Sequence, residues 1–374
     1  MLYAARFTSP VPHGRLKSID TAAAERLPGV RAVHVLQQVR GSASLIDPAE
    51  GRPAKHPILR YAGQPIGAVA AISQAIANEA ARLVRLDIEP LPFVVDLDAA
   101  QREDAPAVFS GPAVMGGSAG GGGGARNVPQ DGNVRGPAKS SRGDMQAGFR
   151  TADVVVEGEY RTQVQTHSAL ETHGVVADFR DDELTVYAST QGTKTVREEL
   201  AHVFDLPKSR VRVVTEFMGG GFGAKFGAGN AAVLAVHLSK KTKAPVRLML
   251  NRKEEHLSVG NRPNSVMKLK IGAKRDGTLT AIHHVSHGTA GTGTGAGTSA
   301  PARNMYKCSN VLTEDHDVFT NAGPATAFRA PGHPQGCFSL EQAIDELAEK
   351  LGMDPLALRD HIDVDWDAFI DSDA

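Results

Sequence analysis

Residues 218–229 read MGGGFGAKFGAG. They lie between a run rich in β-branched residues, Val211 to Phe217, and a segment of helical pattern from about Asn230 to Lys241. Consecutive glycines let the backbone reach positive φ and come close to a ligand. Free N–H groups aimed at the start of a helix form an anion site, so a phosphorylated group is physically sensible here. Gly219, Gly221 and Ala224 fit the G-x-G-x-x-A spacing of a dinucleotide turn. That turn also needs an acid at the end of the next strand, about 20 residues on. The next strand-like run, Val246 to Leu250, ends in Asn251, and the first acid is Glu254. A Gly-Lys-Ser/Thr phosphate loop does not fit either, because Lys225 is preceded by Ala224 and followed by Phe226. The plain structural alternative is a tight glycine turn that packs strand on helix.

Two other turns carry chemistry. Ala327 to Gly336, AFRAPGHPQG, places Arg329 between an aromatic residue and a tight bend. Arginine presents a planar fork to anionic oxygens. Upstream, Ser189 to Thr193, STQGT, puts Gln191 where a strand gives way to a helix. An amide there can donate to an oxo group or accept from a bound water.

Outward from these turns the chain divides into segments. Residues 1–109 form a small α+β unit. Its strand-like runs are Leu2–Phe7, Val30–Gln37, Gly67–Ile72, Val84–Glu89 and Phe93–Leu97, and Ser73 caps a helix. Residues 110–143 read as a Gly-rich flexible linker, of which Gly116 to about Ser141 should be mobile and exposed. Residues 144–362 form a second α+β domain. There Thr195-x-x-Glu198 and Ser339-x-x-Gln342 read as helix starts, Asp276-Gly277 as a hairpin turn and Asp354-Pro355 as a further helix start. Residues 363–374 form an acidic tail, and six aspartates fall after Arg359.

Composition excludes several classes. Lys+Arg is 41 and Asp+Glu 42, a balance unlike that of a nucleic-acid binder. Two cysteines, Cys308 and Cys337, are too few for a disulfide scaffold or an iron–sulfur cluster. No stretch reaches the roughly 18 apolar residues of a membrane helix, and the N-terminus lacks signal-peptide order. A cytoplasmic protein is expected. Export carried by a partner subunit would place it in the periplasm instead.

STQ, GGGFGAK and AFRAPGHPQG, in this order, resemble the molybdenum-cofactor-binding (large) subunit of the xanthine dehydrogenase/aldehyde oxidase family. Arg6 to Val30 and Tyr61 to Ala71 are similar to that family's a/b hammerhead domain. Gly143 to Tyr160 and Thr166 to Gly174 resemble the entry to its first molybdopterin-binding domain. The resemblance implies molybdenum-dependent hydroxylation of an aldehyde or N-heteroaromatic substrate, with water as the oxygen source and a glutamate as general base. It implies that Gln191 bonds an oxo ligand of molybdenum. Phe222 and Gly223 would present backbone beside the metal, with Gly220 and Gly221 permitting the approach. Ala327, Phe328 and Arg329 would line the other side, and Gln335 would share that cofactor-facing loop. Gln191, Phe222 and Arg329 are thus the catalytic candidates. The metal would be held by the pterin dithiolene and not by the protein, so His167 and His173 read as structural. His283 and His284 sit on a strand and point to opposite faces. The implied cofactor is molybdenum–molybdopterin in its cytosine dinucleotide form. The electron carriers, [2Fe–2S] clusters and FAD, would lie in an iron–sulfur subunit and an FAD subunit.

Three departures shape the expectation. The second molybdopterin-binding domain and its glutamate would follow residue 362, so a partial chain that is inactive alone is expected, with Glu171 and Glu216 the acids to test should it prove active. A partial chain is also expected to lack the family's strands before LYAARF. Phe226 stands where purine-oxidising members carry Glu, which favours an aldehyde over xanthine. Two alternatives remain: a noncatalytic remnant or split-gene half that needs a second chain, and a Rossmann-like NAD-binding oxidoreductase.

Overall fold

The computed structural model describes residues 1–36, 46–47, 52–53, 57–109, 111 and 128–362. It is an α+β molecule built on two large sheets. The first has seven strands, in the order Val211–Val214, Glu183–Ala188, Gly174–Arg180, Val246–Met249, Leu2–Thr8, Pro65–Ala71 and Val30–Val35. The second has six, in the order Val154–Thr162, Ser265–Ala273, Leu279–Gly291, Val311–Phe319, Val134–Arg142 and Gln130–Asp131.

The seven-stranded sheet joins segments that the sequence reads as separate domains. Leu2–Thr8 pairs in parallel with Val246–Met249 on one side and antiparallel with Pro65–Ala71 on the other. Pro65–Ala71 is buried along its whole length, as a central strand covered on both faces requires. Helix Gly229–Thr242 covers this sheet. Alanine and aliphatic residues run from Ala231 to Leu238 with only His237 interrupting, and nearly all of that stretch is buried. Such an all-round apolar helix is stable only inside a core. Its buried Ser239 is satisfied twice, accepting from Phe179 N–H at 2.9 Å and donating to Ala244 O at 2.8 Å.

Helix His333–Leu351 covers the six-stranded sheet through Leu340, Ala343, Ile344, Leu347 and Ala348, a stripe at helical spacing. It begins at His333, six residues before Ser339, which was expected to cap it. Ser339 is instead buried inside the helix and donates to Gly336 O. Thr195 likewise sits inside helix Thr193–Val203, whose N-cap is Gly192. Ser73, Asp354 and the Asp276-Gly277 hairpin behave as the sequence predicts. Phe93–Leu97 is not a strand. A short helix, Leu97–Ala100, forms there, capped by Asp96.

The expected linker 110–143 ends earlier than predicted. Val134–Arg142 is a nine-residue strand paired with Val311–Phe319. Polar side chains hold it: Arg135 meets Asp317 at 3.1 Å and Lys139 meets Glu314 at 2.7 Å across the pair. Residues 112–127 and the acidic tail 363–374 lie outside the described residues.

The topology also overturns the Rossmann-like alternative. In that fold, consecutive parallel strands flank the glycine turn and its helix. Here two strands, Glu183–Ala188 and Gly174–Arg180, separate Val211–Val214 from Val246–Met249. The helix starts only at Gly229, after further turns, so the glycines do not open it. Among the described residues no helix is long and apolar enough to cross a membrane.

Candidate functional site

The glycine elbow closes around Gln191. The Gln191 side-chain Oε1 accepts from Gly223 N–H at 2.8 Å and from Lys225 N–H at 3.3 Å. Its backbone N–H donates to Lys225 O at 2.8 Å. With Oε1 engaged, the Nε2 donor of this exposed side chain makes no bond to another described residue. The sequence leaves open whether this amide donates or accepts, and the elbow decides for a donor.

The glycines serve different ends. Gly220 and Gly223 have φ of 100° and 105°, which only glycine adopts readily. Gly221 does not. A Cβ there would lie 2.5 Å from Gln191 Oε1, so its requirement is close approach.

The AFRAPGHPQG loop meets the elbow on the same side of the molecule. Arg329 N–H donates to Phe222 O at 2.8 Å, and a Cβ on Gly223 would strike Ala327 O at 2.5 Å. The Phe222 and Phe328 rings lie 6.4 Å apart. Gln191, Gly220 to Gly223 and Ala327 to Arg329 are therefore brought together. Gln335 is not. It is buried in the helix behind the loop, where Arg262 Nη1 donates to its Oε1 at 3.1 Å and its Nε2 bonds Pro263 O at 3.4 Å.

Backbone strain concentrates here. Phe222, Arg329 and Ala330 have φ of 53°, 23° and 58°. Each such residue costs of order 1–3 kcal/mol and persists only where its surroundings over-determine it.

Several supporting residues escaped the sequence reading. Lys225 is buried, and its Nζ donates to Glu171 O and Ser189 Oγ, both at 2.7 Å. Burial lowers its pKa, against the pull of Glu171 and Glu255. The Glu171 carboxylate accepts from Gly219 N–H at 2.6 Å and Ser189 Oγ at 3.0 Å. The signal for this network was present only as a lone Lys in a glycine-rich turn. Arg262, whose guanidinium lies under Phe328, has no local motif at all.

His167, His173 and His283 bond to neighbouring protein groups. His167 Nε2 faces Ala327 O at 2.7 Å, which makes it the protonated nitrogen. His173 bridges the Glu255 carboxylate (2.9 Å) and Ala224 O (3.0 Å) through its two ring nitrogens. His283 meets Glu314 at 2.9 Å on one face of its strand, while His284 is fully buried on the other.

Burial alone would raise the Glu255 carboxyl, but the hydrogen bonds and charge of His173, and the charge of Lys225, hold it below its ordinary value of 4.5. The contribution to stability is therefore complete above that value and lost as pH falls below it. Glu255→Ala should cost about 3–5 kcal/mol, the range for breaking a buried pair. Urea unfolding at neutral pH checks this. Glu255→Gln should also flatten the loss of stability in acid.

The site can accept an anionic, oxygen-rich group. Gln191 Nε2 offers a donor, and the exposed Arg329 guanidinium has no hydrogen bond or ion pair to another described residue. The glycines let the elbow close on its own neighbours, since a Cβ on Gly219, Gly221 or Gly223 would lie 2.5 Å from Glu171, Gln191 or Ala327. These features fit a molybdopterin-type cofactor.

Comparison with known proteins agrees with the geometry. Residues 128–361 match the profile of the molybdopterin cofactor-binding domain. Residues 1–92 match that of the aldehyde oxidase and xanthine dehydrogenase a/b hammerhead domain. The xanthine dehydrogenase molybdenum-binding subunit of Escherichia coli O157:H7 is 30% identical over 96% of this chain and 48% of its own length. The nicotinate dehydrogenase large molybdopterin subunit of Eubacterium barkeri is 32% identical over 96% of this chain and 81% of its own length. The solved aldehyde oxidoreductase of Desulfovibrio gigas superposes with a TM-score of 0.79 at 30% identity, over 96% of this chain and 39% of that one. Apart from the nicotinate dehydrogenase subunit, the chain thus spans less than half the length of these relatives. Its hammerhead and cofactor-binding domains place it in the aldehyde oxidase and xanthine dehydrogenase family of molybdopterin proteins.

Proposed function

We propose that this chain is the cofactor-binding part of a molybdenum hydroxylase that oxidises an aldehyde or N-heteroaromatic substrate with water as the oxygen source. The observation that carries the reading is the convergence of the Gln191 amide donor with the Arg329 loop across the glycine elbow. Gln191 Nε2 would hydrogen-bond the cofactor. The Phe222–Gly223 backbone would pack beside it, and Ala327 to Arg329 would close the opposite side. When bound, the molybdenum cofactor would supply the two-electron chemistry of the hydroxylation. The chain's own contribution is to bind and orient it and to keep Gln191 in its donor orientation.

The cofactor is proposed to be the cytosine dinucleotide form, and electrons are proposed to leave through an iron–sulfur subunit and an FAD subunit. A second chain or segment carrying the other molybdopterin-binding domain would complete the site. That reading is supported by the nicotinate dehydrogenase subunit, a named subunit of which this chain covers 81%. Phe226, part-exposed beside the elbow, offers no hydrogen bond to a purine, which favours an aldehyde. The compartment proposed is the cytoplasm.

The test is co-expression with the neighbouring genes in a host that makes the cofactor. Molybdenum bound at about one per chain, with aldehyde-dependent dye reduction, is the expected result. Well-folded protein that purifies without molybdenum, alone and with its partners, would refute the proposal and leave a noncatalytic remnant.

A further inference from the structure

Arg262 carries a positive charge for which the described residues hold no counter-charge. Only 6% of its surface is exposed, and its hydrogen-bond acceptors are all neutral. Nη2 donates to Phe328 O at 2.6 Å and to Arg329 O at 2.9 Å, and Nη1 to Gln335 Oε1 at 3.1 Å. The guanidinium carbon sits 4.6 Å from the centre of the Phe328 ring. Nε has no partner among the described residues.

A buried cation without a carboxylate is costly, and an apolar side chain of similar volume avoids the cost. What arginine adds is the planar fork, which binds two successive carbonyls and an amide from one rigid group. Those carbonyls belong to the strained segment. Arg329 and Ala330 have φ of 23° and 58°. On its other side the segment is held by the bond from Arg329 N–H to Phe222 O. The base of the fork is itself fixed, because Arg262 and Gln165 exchange backbone hydrogen bonds at 2.9 and 3.1 Å. The Phe328–Arg329 peptide is thus gripped between the glycine elbow and a buried guanidinium.

We propose that Arg262 is a positioning residue that holds Phe328 to Ala330 in its strained conformation and so keeps Arg329 beside Phe222 and Gln191. The functional part of this inference rests on the reading of the site given above. The positioning itself does not.

The experiment compares wild type with Arg262→Met and Arg262→Lys, each purified with its partner subunits. Hydrogen–deuterium exchange over residues 326–336 is the first readout and needs no cofactor. Exchange there should rise at least about tenfold in Arg262→Met, with an intermediate rise in Arg262→Lys, which keeps the charge but loses the fork. The second readout is kinetic. Misplacement by about 1 Å can cost about 10²-fold in rate, so kcat of Arg262→Met should fall by about that factor. Bound molybdenum and KM should stay within about threefold, and Arg262→Lys should recover part of the loss. Unchanged exchange in the loop, or unchanged kcat, overturns the proposal. If Arg262→Met does not fold, Arg262→Lys decides through the same exchange measurement. If wild type carries no molybdenum, the functional reading fails on its own, and exchange still decides whether Arg262 positions the loop.

Discussion

Gly221→Val is expected to abolish cofactor retention while leaving most of the fold intact. The cause is local. Any Cβ at residue 221 would lie 2.5 Å from Gln191 Oε1 and within 2.8 Å of the next two atoms of that side chain. Gln191 must then move, and Gly223 and Lys225 N–H lose their acceptor. Overpacking costs about 1–3 kcal/mol, and an N–H left unsatisfied in a buried setting costs about the same. Because about 1.4 kcal/mol is tenfold in affinity, bound molybdenum should fall by well over tenfold. Metal analysis of purified complexes measures it, with circular dichroism to check the fold. Since Gly221 lacks a positive φ, Gly221→Ala isolates the contact with Gln191 and should show most of the loss. Gly223→Ala combines a φ of 105° with a 2.5 Å contact to Ala327 O, so it should lower stability as well. Retention of stoichiometric molybdenum in Gly221→Val would mean that the elbow does not face the cofactor.

The parts of this site that were legible in the sequence are those whose chemistry is local. Consecutive glycines between a strand and a helix point to unusual backbone or close approach, and an arginine within a Pro/Gly turn points to anion contact. The elbow and the loop do come together, as the paired readings at Gln191, Phe222 and Arg329 require. The reason for each glycine was not legible, because the neighbour that excludes a Cβ lies about 30 residues away for Gly221 and over 100 away for Gly223.

What failed did so for a common reason. Val134–Arg142 looks like linker because its pairing partners, Asp317 and Glu314, lie far along the chain. A strand stabilised by ladder bonds and cross-strand charge pairs has no apolar alternation to read. Ser339 looks like a helix cap because hydroxyls favour that position. Inside helix His333–Leu351 it bonds back to Gly336 O and is fully buried. Gln335 lies in the helix behind the loop and faces inward, toward Arg262. Arg262 itself was invisible, since a lone arginine in a polar stretch signals nothing until its acceptors are known.

Residues 1–374 expressed without partners should turn over substrate at no more than about 10⁻² of the rate of the assembled enzyme. The first ground is that the acid hydrogen-bonded to the elbow at Gly219 is already engaged. Glu171, the acid that meets the elbow, spends its carboxylate on Gly219 N–H and Ser189 Oγ and lies near Lys225. Removing a general base typically costs about 10²- to 10⁴-fold. The second ground is the apolar surface beside the elbow. Leu170 is 93% exposed and Phe217 90% exposed, and they flank the Glu171–Gly219 hydrogen bonds. A pair of large apolar side chains left in water next to a binding site suits cover by another segment. The same exposure predicts self-association of the isolated chain, and Leu170→Ser with Phe217→Ser should reduce it. The measurements are sedimentation velocity, bound molybdenum, and dye-coupled aldehyde oxidation, for the chain alone and for the chain with its neighbours. Robust turnover by the isolated chain would show that an acid already present serves as base. Glu171→Gln and Glu216→Gln would then identify it, and a loss of kcat with molybdenum retained would mark the residue responsible.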